Sequence, residues 1–174
     1  MRMTIKKLEK AFNITLKKNC IVLGLDTATK TGYCIAKTNK THVSFDIGFI
    51  NLDVKEIKDK SLKNAIRYEE LYKHFLNLIR KEYEVVVEDV YFGRNAQTLI
   101  LLARIGAVAW TLARIKECKK ITWRTAVQAR KLLGLACNKK KEIVADELNK
   151  KLKSTLTNPD EIDALVLAIG GLVK

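Results

Sequence analysis

Four carboxylates stand at positions where an ordinary soluble chain gains little from them. Asp26 closes the apolar run CIVLGLD at 20–26 and opens a polar turn at 27–31. Glu88 follows Val85, Val86 and Val87 in EVVVEDV at 84–90, a run that otherwise reads as a strand buried on both faces. Asp160 and Asp163 belong to NPDEIDALVLAI at 158–169. Burying a lone carboxylate costs several kcal/mol unless a positive group lies beside it. No basic residue neighbours Glu88 closely in sequence, so a metal is a serious candidate partner. Oxygen ligands without a His or Cys cluster favour a hard cation such as Mg²⁺, with Mn²⁺ as a substitute. Two such ions ~3.5–4 Å apart activate a water and stabilise the leaving oxygen of an in-line displacement.

Each acid also has a plainer reading. A strand-end Asp such as Asp26 commonly caps a turn. Asn158 is a good N-cap, Pro159 suits the first helical position, and Glu161 would complete a capping box. Asp160 and Glu161 would then complement the helix dipole. That reading fits Asp163 poorly, because the helix around it is apolar on nearly every side. Asp160 and Asp163 are three apart and project from one face. The pair stays open between dipole complement and metal ligation.

The elements that must carry these acids follow from the apolar spacing. Strands are predicted at 20–26, 32–37 and 42–52, close enough in sequence for an antiparallel meander. Leu62, Ile66, Leu71, Phe75, Leu78 and Ile79 give a helix over 61–83 with one apolar stripe. A strand follows at 84–90, a long helix at 95–118 and a short strand at 120–123. Helices at 125–133, 139–151 and 159–172 complete the chain. This order fits a mixed sheet flanked by helices, an α/β fold. In the long helix Ala103, Gly106, Ala107, Trp110 and Ala113 lie close together, so another helix could approach there, in the core or across a subunit interface.

The length, 174 residues, favours one domain, and the composition (48% apolar, 30% charged) is that of a globular chain. The net charge is +14 and unevenly placed. Residues 1–19 hold six basic residues against one acidic, and 114–153 hold thirteen against four. Clustered positive charge marks a polyanion partner, nucleic acid before acidic membrane. The longest uncharged apolar run, 164–173, is about half of a ~20-residue span, so neither a membrane segment nor secretion is expected. The 4 cysteines are scattered and read as free thiols in a reducing, intracellular compartment.

Three pieces, GLDTATKTGYCIA at 24–36, VVVEDVYFGRNAQT at 85–98 and NPDEIDALVLAI at 158–169, together resemble the RuvC-like Holliday-junction resolvases, a branch of the ribonuclease H-like nucleases. TWRTAVQARKLLGLACNKKKE at 122–142 is a weaker match. The resemblance implies a five-stranded mixed sheet in the order 3-2-1-4-5, flanked by helices. It places the family's metal-binding catalytic acids on Asp26, Glu88, Asp160 and Asp163, holding two Mg²⁺ ions. It implies hydrolysis of branched DNA, four-way junctions above all, by paired cuts from a homodimer, leaving 5′-phosphates and 3′-hydroxyls.

Tyr91, with Phe92 beside it, falls where several resolvases carry an aromatic wedge, and Arg94 and Asn95 occupy the polar pair after it. The family's basic residue near the scissile phosphate falls about on Lys140, within the run Lys139, Lys140 and Lys141, and Arg124 is a further candidate for DNA contact. These lysines and Arg124 also suit a merely solvated face. The resemblance begins after residues 1–19, which read as a basic extension before a single nuclease domain at 20–174. In that extension Ile5, Leu8 and Phe12 share a helix face, and packing is their plainer role. Two other functions remain compatible with the residues: a related nuclease acting on RNA or hybrids, and a non-catalytic basic protein binding nucleic acid.

Overall fold

The computed structural model describes residues 1–174 except 53, 55, 91–94 and 137–140. The described strands and helices follow in the order β1 (Arg2–Thr4), α1 (Ile5–Phe12), β2 (Ile21–Asp26), β3 (Lys30–Thr38), β4 (His42–Asn51), α2 (Lys60–Leu78), β5 (Glu84–Glu88), α3 (Ala96–Ile115), β6 (Lys120–Arg124), α4 (Ala126–Leu132), α5 (Lys141–Leu152) and α6 (Pro159–Leu172). They form one sheet in the order β1-β4-β3-β2-β5-β6. β2 pairs antiparallel with β3 and parallel with β5, and β5 pairs parallel with β6.

Five strands, β4-β3-β2-β5-β6, have the expected order, and β1 is added beyond β4 at one edge. Arg2–Thr4 pairs antiparallel with His42–Ser44 of β4, covering backbone groups that an edge would leave open. Three residues are too few to show an alternation, which is why periodicity misses this strand. The helix expected at 61–83 ends early, because Ile79 turns to extended backbone and Tyr83 N donates to Arg80 O in a turn that feeds β5.

Alternation along the central strands makes two cores. Val22 and Val86 face one layer, formed with α1, α4, α5 and α6, while Leu23, Leu25, Val85 and Val87 face α2 and α3. Ile5, Leu8 and Phe12 of α1 are buried in the first core. The small residues of α3 behave differently from a helix-approach stripe. Ala103 and Ala107 are exposed, and what lies against Gly106 is the ring of Trp123, not a helix backbone. That ring stacks on Trp110 with centroids 5.0 Å apart. Among the described residues, α3 alone is long and apolar enough to cross a bilayer, although Ile105, Ala109, Leu112 and Ala113 are buried in the second core. Cys20, Cys34 and Cys118 are free, and Cys34 is fully buried; Cys137 lies outside the described residues.

α6 is the element that brings distant acids together. It lies flat on β2 and β3 because two glycines admit its backbone. A Cβ on Gly24 would lie 2.6 Å from Ala168 N, and one on Gly32 would collide with Asp160 O. This close approach sets the first turn of α6 beside the end of β2.

Candidate active site

Parallel pairing sets Leu25 beside Val87, so the next residues, Asp26 and Glu88, end their strands side by side. Adjacent strands lie ~4.8 Å apart. Two residues before each acid, Gly24 and Val86 contact α6, so the same alternation turns both carboxylates toward that helix. The turn after Asp26 is tied down by Ala28 N donating to Asp26 O (3.1 Å) and Thr31 Oγ1 donating to Ala28 O (2.7 Å).

Asn158 caps α6 as its sequence predicts, accepting from Asp160 N at 2.9 Å, with Pro159 in the first turn. Among the described residues the expected capping box with Glu161 is not formed, since the cap bond goes to Asp160 N alone. A cleft of about 570 Å³ at the strand ends is lined by Asp26, Glu88, Asp160 and Lys141, with Thr27 and Asp89 beside them.

Asp26 is 3% exposed, and its Oδ2 is buried with no hydrogen-bond partner. Burial, then the adjoining Glu88 carboxylate and Asp163, push its carboxyl up to about 10, with Lys141 opposing them in part. A turn-capping aspartate would accept an amide proton; this oxygen accepts none. An orphaned carboxylate oxygen beside a second carboxylate calls for a proton or a cation. The all-oxygen surroundings fit a hard divalent ion.

Asp163, also 3% exposed, lies behind the cleft wall. Arg130 Nη2 donates to its Oδ1 at 2.6 Å, and Lys141 Nζ contacts its Oδ2 at 2.8 Å. With Asp163 held by these cations, no three acidic side chains among the described residues already form a metal cage. Burial lowers the pKa of the Lys141 ammonium, but the Asp163 bond and the charges of Asp26 and Glu88 outweigh it and raise the pKa above its usual value.

The candidate DNA contacts are scattered by comparison. Lys141 stands at the cleft. Asn95 is the N-cap of α3, accepting from Gln97 N at 3.0 Å and Thr98 N at 3.3 Å. The Arg124 guanidinium lies against Gly170 in the body of α6, and its Nη1 is buried without a partner. Tyr91, Phe92, Arg94, Lys139 and Lys140 lie outside the described residues. Sequence reasoning missed Arg130. The signal was Asp163 itself: an acid inside an apolar helix needs a cation, and Arg130 sits between the buried Ala129 and Leu133.

A family model described as crossover junction endodeoxyribonuclease RuvC matches residues 22–171. The chain belongs to the RuvC family. Within it, the crossover junction endodeoxyribonuclease RuvC of Helicobacter pylori (strain Shi470) is 27% identical over 152 residues, covering 85% of this chain and 93% of that one. Two solved structures share the fold. Thermus thermophilus RuvC in complex with a Holliday junction substrate aligns with a TM-score of 0.67 at 17% identity, over 87% of this chain and 91% of that one. A second Thermus thermophilus RuvC structure gives 0.67 at 16%, over 88% and 98%. The match begins at residue 22, so β1 and α1 fall outside it. RuvC-family membership makes the chain a crossover junction endodeoxyribonuclease, a metal-dependent nuclease class.

Proposed function

We propose that this chain resolves four-way and related branched DNA junctions by hydrolysing phosphodiesters at the cleft of Asp26, Glu88 and Asp160. The observation that carries this is the partnerless, buried oxygen of Asp26 beside Glu88, in a chain of the RuvC family. Asp26, Glu88, Asp160 and Asp163 would hold two Mg²⁺ ions, with Mn²⁺ as a substitute. When bound, such ions neutralise the acids and supply Lewis-acid activation of water and leaving oxygen.

The chain's own residues set the stage for that chemistry. Asp26 and Glu88 are fixed by the ends of adjacent strands, so their spacing does not depend on loop order. Asp160 approaches from α6. Lys141, at the rim with a half-exposed side chain, is placed to meet a phosphate oxygen once a cation takes over its role beside Asp163. Lys139 and Lys140 would extend that contact, and Tyr91 and Phe92 would stack on bases at an opened junction core.

Paired cuts need two sites, which a two-fold homodimer supplies. The face shared by α2 and α3 suits that contact, since Tyr72, Leu76 and Ile100 are exposed apolar side chains there.

The test is a labelled four-way junction incubated with Mg²⁺, Mn²⁺ or EDTA. Cleavage with either metal and none in EDTA supports the reading. Salt-sensitive binding with no cut under any metal would leave a non-catalytic binding protein. Preferential cutting of an RNA–DNA hybrid would move the chain to the hybrid-acting nucleases.

A further inference from the structure

The basic extension is the largest feature that the cleft does not use. Its strand and helix lie at the opposite pole of the sheet, where Thr38 N bonds Cys20 O and Ile5 N bonds Thr41 O. From Ile21 at that pole β2 takes five residue steps to Asp26, ~17 Å at about 3.3 Å per step. The residues just before β2 pair with the end of the fold: Leu16 bridges Val173, Lys17 N donates to Leu172 O, and Lys174 N donates to Thr15 O.

These pieces and the turn between β3 and β4 surround a cleft of about 410 Å³. Lys6, Lys18, Lys40 and Lys174 line it with Thr15 and Thr41, the hydroxyl of Thr41 being held by His42 Nδ1 at 2.9 Å. Its one lining carboxylate side chain, Glu9, is engaged inward, where Oε1 accepts from Leu16 N at 3.0 Å. Nearby lysines that have structural work are distinguishable. Lys17 pairs with Glu84 at 2.7 Å, and Lys151 donates to Ala11 O at 2.9 Å. Lys6, Lys18 and Lys40 are exposed, and among the described residues their ammonium groups make neither an ion pair nor a hydrogen bond.

We propose that this pole is a second DNA-binding surface, which grips the phosphate backbone of a duplex segment away from the bond being cut. Ammonium and hydroxyl donors recognise phosphate oxygens and read no sequence. Solvent-facing lysines on an open cleft suit an extended polyanion, whose binding gains from released counterions. Held by this pole, the enzyme would keep a high local concentration along DNA while the acidic cleft remains free. Lys6, Lys18 and Lys174 lie outside the residues that match the RuvC family and Lys40 lies within them, so most of this surface would be particular to this protein and not to the family's shared machinery.

The experiment uses the full chain with Lys6→Gln, Lys18→Gln and Lys40→Gln combined, binding a plain duplex in EDTA across a salt series. The slope of log K against log salt should flatten by about 0.9 for each phosphate that the variant no longer neutralises. The matching triple Arg variant should retain the slope. Junction cleavage in Mg²⁺ at saturating enzyme should be unchanged in both. An unchanged slope in the Gln variant overturns the proposal, as does an equal fall in the Arg and Gln variants, which would mean altered structure and not missing charge. Because the duplex is uncut and metal-free, this outcome is independent of whether the chain proves to be a resolvase.

Discussion

Arg130 and Asp163 neutralise each other across the seam between α4 and α6, 33 residues apart in sequence and both buried. The pair fixes one oxygen of Asp163 and leaves the other to Lys141, so the carboxylate is oriented before any cation arrives. Removing one member of a buried pair strands the other charge and typically costs about 3–5 kcal/mol. Arg130→Met should therefore lower the unfolding free energy obtained from urea denaturation by that order, less whatever Lys141 compensates. Arg130→Met combined with Asp163→Leu should regain most of the stability and still fail to cleave. If the single variant is as stable as the parent, the pair does not hold Asp163.

Asp26 makes the metal-free protein pH-sensitive. Its carboxyl is held up to about 10 in the fold, against about 3.9 in an unfolded chain. Below pH 4 both states carry the proton and there is no penalty. Above it the unfolded state ionises while the folded state keeps its proton, so stability falls as pH rises toward 10. Denaturation in EDTA between pH 5 and 9 should show this decline. Asp26→Asn should flatten it and abolish cutting, while keeping or strengthening junction binding. Saturating Mg²⁺ should also flatten it in the parent, because a cation replaces the proton as partner. A flat parent profile in EDTA would remove Asp26 as the titrating group.

Lys141 sits where a cation would bind, 2.8 Å from Asp163 Oδ2. Lys141→Gln should raise Mn²⁺ affinity several-fold in calorimetry, because one competing positive charge is gone. It should also slow junction cleavage by an order of magnitude or more, since the phosphate loses its cationic partner. Weaker Mn²⁺ binding in the variant would show that Lys141 supports the metal site and does not compete with it.

Gly24 carries no chemistry of its own, yet its lack of a side chain sets where α6 lies. Gly24→Ala places a Cβ 2.6 Å from Ala168 N, and backbone cannot yield as a side-chain tip can. Overpacking of this kind costs about 1–3 kcal/mol. The variant should lose junction cleavage beyond its loss of melting temperature, as Asp160 and Asp163 move with the helix. Full activity would show that α6 tolerates the shift.

Much of this architecture was legible in the chain. CIVLGLD and EVVVEDV announce two buried strands whose last acids have nowhere apolar to go, and Asp163 is conspicuous in an apolar helix. What was hidden depends on pairing at long range. Arg130 looks like one more surface cation of a basic segment until α4 is docked on α6. The same holds for Arg124, whose guanidinium turns in against Gly170. β1 is hidden for another reason, because its stability comes from the β4 edge and not from its own three residues.

The span between the acids has a kinetic consequence. Asp26 meets Glu88 only after 62 residues of chain, and meets Asp160 only after a further 72. Contacts this distant close late, because loop entropy must be overcome before they give any return. During refolding, the local β2–β3–β4 meander should therefore form before α6 docks. Far-ultraviolet dichroism should recover ahead of Mn²⁺ binding and cleavage. A chain caught between these stages has its sheet but not its chemistry, so a nuclease with a +14 charge would gain its grip on DNA before its capacity to break it.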